Sequence, residues 1–179
     1  MGTTEGHTQQ TVEQIYREAV SFHEEKRLRE AYQMYWEVLR ADPPRAPTVE
    51  QRAIVLRHVP RLFVTPTEPF PLKDIAAVVH PSEPLIAYHL FWEDDIDFPD
   101  DQEPCDHEVV WVRYSTRGHV EGVYAYYHGH IITSAIAPGE AMAHGGRPHI
   151  DVQWGKHGSL PYGWPEIYAG RVLENMRAT

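Results

Sequence analysis

The chain has a single cysteine, Cys105, in 179 residues. No internal disulfide can form, which fits a reducing compartment. No apolar run approaches the roughly 18 residues that a membrane-spanning helix needs, so no span is expected. The opening MGTTEGHTQQTVEQ has neither a basic nor an apolar segment and does not read as a secretory signal. These absences give the expectation of a cytoplasmic protein. Base is also scarce: 16 Lys and Arg stand against 26 Asp and Glu, for a net charge of -10. Nucleic-acid binding needs a basic face to neutralise phosphate, so no nucleic-acid partner is expected. The phosphate-cradling P-loop, the dinucleotide fingerprint, the nucleophile elbow and HExxH are all missing.

The shortage of base is concentrated in one place. No Lys or Arg occurs between Lys73 and Arg113. Inside that window lie Glu93, Asp94, Asp95, Asp97, Asp100, Asp101, Glu103, Asp106 and Glu108, with His107 among them. Crowded carboxylates repel one another unless a cation sits among them or water screens them. Apolar strand-like stretches flank the run, which points to a divalent-metal site rather than an acidic tail. The outer acids, Asp97, Asp100, Asp101 and Glu103, read as a solvated loop. Asp106-His107-Glu108 abuts the apolar Val109–Val112 run and reads as ligand-bearing.

Two textures divide the chain. Residues 9–60 read as helical. Val12, Ile15, Tyr16, Ala19, Val20 and His23 keep the 3.6-residue period, and so do Leu28, Ala31, Tyr32, Tyr35, Val38 and Leu39. Asp42-Pro43-Pro44 stops the second helix. Thr48 with Gln51 predicts a capping box for a third. Ala19, Phe22, Ala31, Tyr35 and Asp42-Pro43 resemble one tetratricopeptide unit. It occurs once, whereas arrays need about three to bury a continuous core. A helical hairpin is therefore expected, with His7, His23 and His58 at the surface.

From residue 62 the chain turns β-rich. Strands are predicted at Ile75–Val79, Leu85–Trp92, Val109–Tyr114, Val120–His128, Ile131–Ala137 and His149–Trp154. Pro138–Pro148 reads as a loop, and the tail from Trp164 reads as a short amphipathic helix. Two-residue alternation puts His89 with Leu85, Ala87 and Phe91. It puts Asp106 and Glu108 on one face and His107 on the other. Asp94 and Asp95 come as a strand ends, His128 adjoins Gly129, and His157 lies in Gly155-Lys156-His157-Gly158. Carboxylates and imidazoles at neighbouring strand ends can converge on one cation. Oxygen ligands favour Ca²⁺, Mg²⁺ or Mn²⁺, and imidazoles shift preference toward Mn²⁺, Fe²⁺, Ni²⁺ or Zn²⁺.

The order of a strand, the acids, Asp106-His107-Glu108-Val109-Val110-Trp111-Val112, then Ala125-Tyr126-Tyr127-His128-Gly129, then Lys156-His157-Gly158-Ser159-Leu160-Pro161 resembles a known family. It is similar to the necrosis-inducing-like proteins and the related plant vacuolar-sorting-like domains, over residues 75–162. The resemblance implies a β-sandwich with a divalent cation in an acidic cavity. By it, Asp94 or Asp95 matches the strand-end Asp of the family. Asp106 and His107 match a Glu and the second His of its heptapeptide, and His128 and His157 match its later histidines. Glu103-Pro104-Cys105 departs from the start of that heptapeptide, and the secretion signal and disulfide of the family have no counterpart. Its membrane-lysing activity therefore does not carry over.

The resulting expectation is an α+β chain. It has a helical element at 1–61 and an antiparallel β-sandwich with a short C-terminal helix at 62–179. The expected function is divalent-metal binding through Asp94, Asp95, Asp106, His107, Glu108, His128 and His157. One alternative is a metal-dependent hydrolase with a metal-activated water. The other is an interaction module that docks a protein partner through its helices around a structural metal.

Overall fold

Thr11 and Thr48 each accept the backbone N–H three residues on, from Gln14 at 3.3 Å and Gln51 at 3.1 Å. Each glutamine returns the bond to the threonine N–H at 2.9 Å. These reciprocal caps satisfy otherwise orphaned donors and start two helices. The structure is a computed structural model, and it describes residues 10–96 and 106–164. Asp97, Asp100, Asp101, Glu103, Cys105 and the expected helix beyond Trp164 lie outside the described residues.

The chain divides into two compact units, the first ending at Pro47 and the second beginning at Thr48. The first holds α1 (Val12–Glu24) and α2 (Leu28–Ala41). Their fully buried residues are small, Ala19 and Ala31. Tyr35 packs against Tyr16 and against His23, with ring centroids 6.2 and 6.1 Å apart.

The second unit begins with α3 (Val49–His58) and holds β1 (Arg61–Phe63), β2 (Leu72–Val79), β3 (Leu85–Trp92), β4 (Asp106–Tyr114), β5 (Val120–Tyr127), β6 (His130–Thr133), α4 (Ala137–Ala143), β7 (His149–Val152) and β8 (Ser159–Pro161). The contacts group α3 with the strands of the second unit. Side-chain hydrogen bonds show why. The Tyr88 hydroxyl donates to the Val55 carbonyl at 2.7 Å. His58 is fully buried rather than at the surface, and its Nδ1 lies 2.9 Å from the Gly146 carbonyl.

Strands β2-β3-β4-β5-β6 form a five-stranded antiparallel sheet in chain order. Strands β1-β7-β8 form a second sheet, with β1 parallel to β7 and β8 antiparallel to it. Strict alternation along β3 buries Ile86, Tyr88, Leu90 and Trp92. In register with them stand Val112 and Val110 of β4, and these pair in turn with Val123 and Ala125 of β5. Ile150, Val152 and Leu160 of the smaller sheet join the same core. The class is α+β. The stretch expected as a loop from Pro138 contains α4, because Pro138 in the first turn costs no helical hydrogen bond and presets φ. Among the described residues no helix is long and apolar enough to cross a membrane.

Candidate functional site

The register of β3 and β4 builds the site. Trp92 pairs with Asp106 and Leu90 with Glu108, so both carboxylates project to the buried side of the sheet. The turn between β7 and β8 meets them there. Its His157 donates from N to the Gln153 carbonyl at 2.9 Å, and Gln153 N donates to the Gly158 carbonyl at 3.0 Å. This turn holds His157 at φ 54, in the left-handed region that disfavours a side chain.

His157 is fully buried, stacked on Trp92 with centroids 4.2 Å apart and planes 7° from parallel. Its Nδ1 is 2.7 Å from Asp106 Oδ2, and its Nε2 is 3.1 Å from Glu68 Oε1. Each ring nitrogen thus bonds one carboxyl group, which fixes the plane and the position of the ring. Glu68 also accepts from the backbone, at Oε1 from Phe70 and at Oε2 from Gly155, 3.2 and 2.8 Å away. Its side chain is 6% exposed and that of Asp106 18%. A buried network whose bonds are made at both ends of the ring fixes its orientation.

Glu108 completes the cluster. Burial pushes its carboxyl up to about 8, and the charge of Asp106 adds to the shift, against one backbone N–H from Ser159. At neutral pH it therefore holds a proton. Its Oε2 has no partner among the described residues, and neither have the buried Trp92 Nε1, Gln153 Oε1 and Ser159 Oγ. Four such atoms around one imidazole are uncommon, since buried polar groups are nearly always bonded. Tyr127 and Gln153 close over the turn. A Cβ on Gly158 would lie 2.7 Å from Tyr127 Cε2 and 2.8 Å from Gln153 Oε1.

Of the expected ligands, Asp106, Glu108 and His157 therefore come together. His107 does not. It lies on the opposite face, beside Phe91 at 4.8 Å between centroids, with its Nε2 2.9 Å from His89 Nδ1. Burial lowers its pKa, the charge of His89 lowers it further, and Asp106 opposes both. His128 is exposed at the β5–β6 turn with φ 45. Asp94 is exposed, and its Oδ1 accepts the Asp95 N–H at 2.9 Å; Asp95 is half-buried. Glu68 was not anticipated. It sits between Pro66 and Pro69, and this run of prolines reads as a linker.

Metal fit follows from the donors that remain. With both nitrogens bonded to carboxylates, His157 has no lone pair for a cation. Glu108 Oε2 and the second oxygen of Asp106 are hard oxygen donors on one face. Among the described residues no three of His, Cys, Asp and Glu are grouped to hold a metal ion. Two carboxylates with waters suit Mg²⁺ or Mn²⁺ better than Zn²⁺. No protein-family model, curated protein or solved structure matches the chain.

Proposed function

We propose that this chain is a divalent-cation-binding protein, its cation held by Asp106 and Glu108 at the buried edge of the five-stranded sheet. Glu68 and His157 act as positioning residues that hold Asp106 in place. The observation that carries this reading is the unpartnered Oε2 of Glu108 beside Asp106, in a cluster of three carboxylates and one imidazole. A buried carboxyl left half-satisfied gains most from a hard cation, which replaces its proton and restores the missing bonds. The resemblance to the necrosis-inducing-like proteins supports the same end of the strands as the site. Packing of Ile150, Val152 and Leu160 against Val110 and Val112 supports the two sheets forming a sandwich around it.

Calorimetric titration with MgCl₂ and MnCl₂ tests the site. One saturable cation is expected, weakened at least ~10-fold by Asp106→Asn or Glu108→Gln, about what one charged hydrogen bond contributes, and unaffected by Asp94→Asn. No uptake, or equal loss from all three variants, removes the reading.

A second reading is a metal-dependent hydrolase. A neutral Glu108 beside a carboxylate at Asp106 is the kind of pair whose environments separate acid from base. A bound cation would supply an activated water. A metal-loaded protein that leaves phosphoesters and carboxyl esters intact would keep the binding reading and remove this one.

A further inference from the structure

The other face of the five-stranded sheet carries a second feature. Trp111 of β4 pairs with Tyr124 of β5, and Leu85 of β3 pairs with Arg113. These four, with Ile131 of β6, line an open pocket of about 330 Å³. Gly122 stands opposite Arg113, and a Cβ there would lie 2.7 Å from the Tyr124 hydroxyl and ring edge. The absent side chain leaves room for the Tyr124 ring at this position. The lining is otherwise apolar and holds no acidic residue. Arg113 is exposed and has no carboxylate partner among the described residues. In a chain of net charge -10, an unpaired guanidinium beside an aromatic wall is a specific attractor for one negative group.

We propose that this pocket binds a small aromatic or branched-aliphatic molecule bearing one carboxylate. The body of the ligand lies on Trp111, Tyr124, Leu85 and Ile131, and its carboxylate meets Arg113. A volume near the lower end of the range for small-molecule sites, roughly 300 to 1,000 Å³, with a few placed polar groups, is what such a ligand needs. A second copy docked symmetrically would instead set two guanidinium groups against shared apolar surface without a counter-ion. The pocket faces away from Asp106 and Glu108, so the inference does not rest on the cation reading.

The test uses the full chain and three probes: phenylacetate, indoleacetate and isovalerate. Saturable one-site binding of at least one is expected, followed by calorimetry and tryptophan fluorescence. The matching neutral amide should bind ~10-fold weaker or worse, the usual contribution of a charge-assisted bond. Arg113→Gln should weaken the carboxylate by the same factor and leave the amide unchanged. Ile131, 67% exposed, tolerates substitution without loss of fold, so Ile131→Glu gives an independent check and should also weaken binding. Chelator should leave the affinity unchanged. Binding of none of the three overturns the proposal, as does equal affinity for acid and amide or no effect of Arg113→Gln. Self-association abolished by Ile131→Glu, without small-molecule binding, would assign the face to a second copy and overturn it too.

Discussion

His157 reaches Asp106 at 2.7 Å from a backbone held at φ 54. A left-handed residue with a Cβ costs about 1–2 kcal/mol. The two bonds to buried carboxyl groups offset that cost, since leaving a buried polar group without its partner costs about 1–3 kcal/mol. His157→Ala keeps the strain, removes the bridge and leaves Asp106 and Glu68 without their shared hydrogen-bond partner. It should destabilise the second unit by about 2–5 kcal/mol, read as a lower midpoint in urea at unchanged slope. A loss below about 1 kcal/mol would show that the bridge contributes little.

Gly158 tests the closeness of the same turn. Any Cβ there meets the Tyr127 ring and Gln153 Oε1 inside 3 Å. Gly158→Ala should cost about 1–3 kcal/mol by overpacking. Gly129→Ala, with open space around it but φ 84, should cost less than that and by backbone strain alone. Thermal melts of the two variants decide the order.

Stability should depend on pH from two buried groups of opposite sense. The folded value of Glu108, about 8, lies above its ordinary 4.5, so its contribution is full below 4.5 and is lost as pH rises to about 8. The slope is at most about 1.4 kcal/mol per pH unit. His58 is lowered from 6.5, first by burial, while its bond to the Gly146 carbonyl opposes the shift. The folded state therefore favours the neutral ring, and its contribution is present above 6.5 and lost as pH falls below it. Its Nε2 has no acceptor among the described residues. Glu108→Gln should flatten the alkaline limb of denaturant midpoints against pH. His58→Asn, whose amide nitrogen replaces Nδ1, should flatten the acid limb. A variant that leaves its own limb unchanged clears that residue of the assigned role.

Much of this site follows from strand periodicity alone. Alternation separates Asp106 and Glu108 from His107, and the register of β3 and β4 bears this out. The ring of His157 is in place for the same reason the turn is: Gly155 and Gly158 allow a tight return. Glu68 was not legible, because its partner lies 89 residues away and no local pattern marks it. His58 looked like a surface residue at the end of a weakly amphipathic helix, yet Tyr114 stacks on it at 5.4 Å and Gly146 closes over it. Long-range partners of this kind decide burial, and helix α4 formed where glycine and proline content argued for a loop. The third helix shows the same effect, since the Tyr88 hydroxyl bonds the Val55 carbonyl from 33 residues along the chain.

That assignment of α3 gives a direct prediction. A chain starting at Thr48 keeps the capping box and the bonds of Val55 and His58 to the strands. It should fold cooperatively with a midpoint close to that of the second unit in the full chain. A chain starting at Leu62 leaves the buried Tyr88 hydroxyl without its acceptor, at about 1–3 kcal/mol, and uncovers core surface besides. It should be markedly less stable or insoluble. Equal stability of the two would return α3 to the helical pair.

Protons decide the last prediction, which concerns how a cation enters. Near pH 7 Glu108 is protonated, because its folded value is about 8. Ligation requires the carboxylate, so each cation bound through Glu108 must expel close to one proton. Titrations at pH 7 in two buffers of different ionisation enthalpy should then give apparent enthalpies differing by about one proton's worth. Affinity should rise with pH up to about 8 and level off above it. Glu108→Gln should abolish both the buffer difference and this pH dependence, with weaker binding left on Asp106. Chelator should lower the melting temperature of the wild type more at pH 8.5 than at pH 6, because alkaline metal-free protein carries a bare buried carboxylate. Proton-neutral binding would place the cation away from Glu108 and remove that residue from the site.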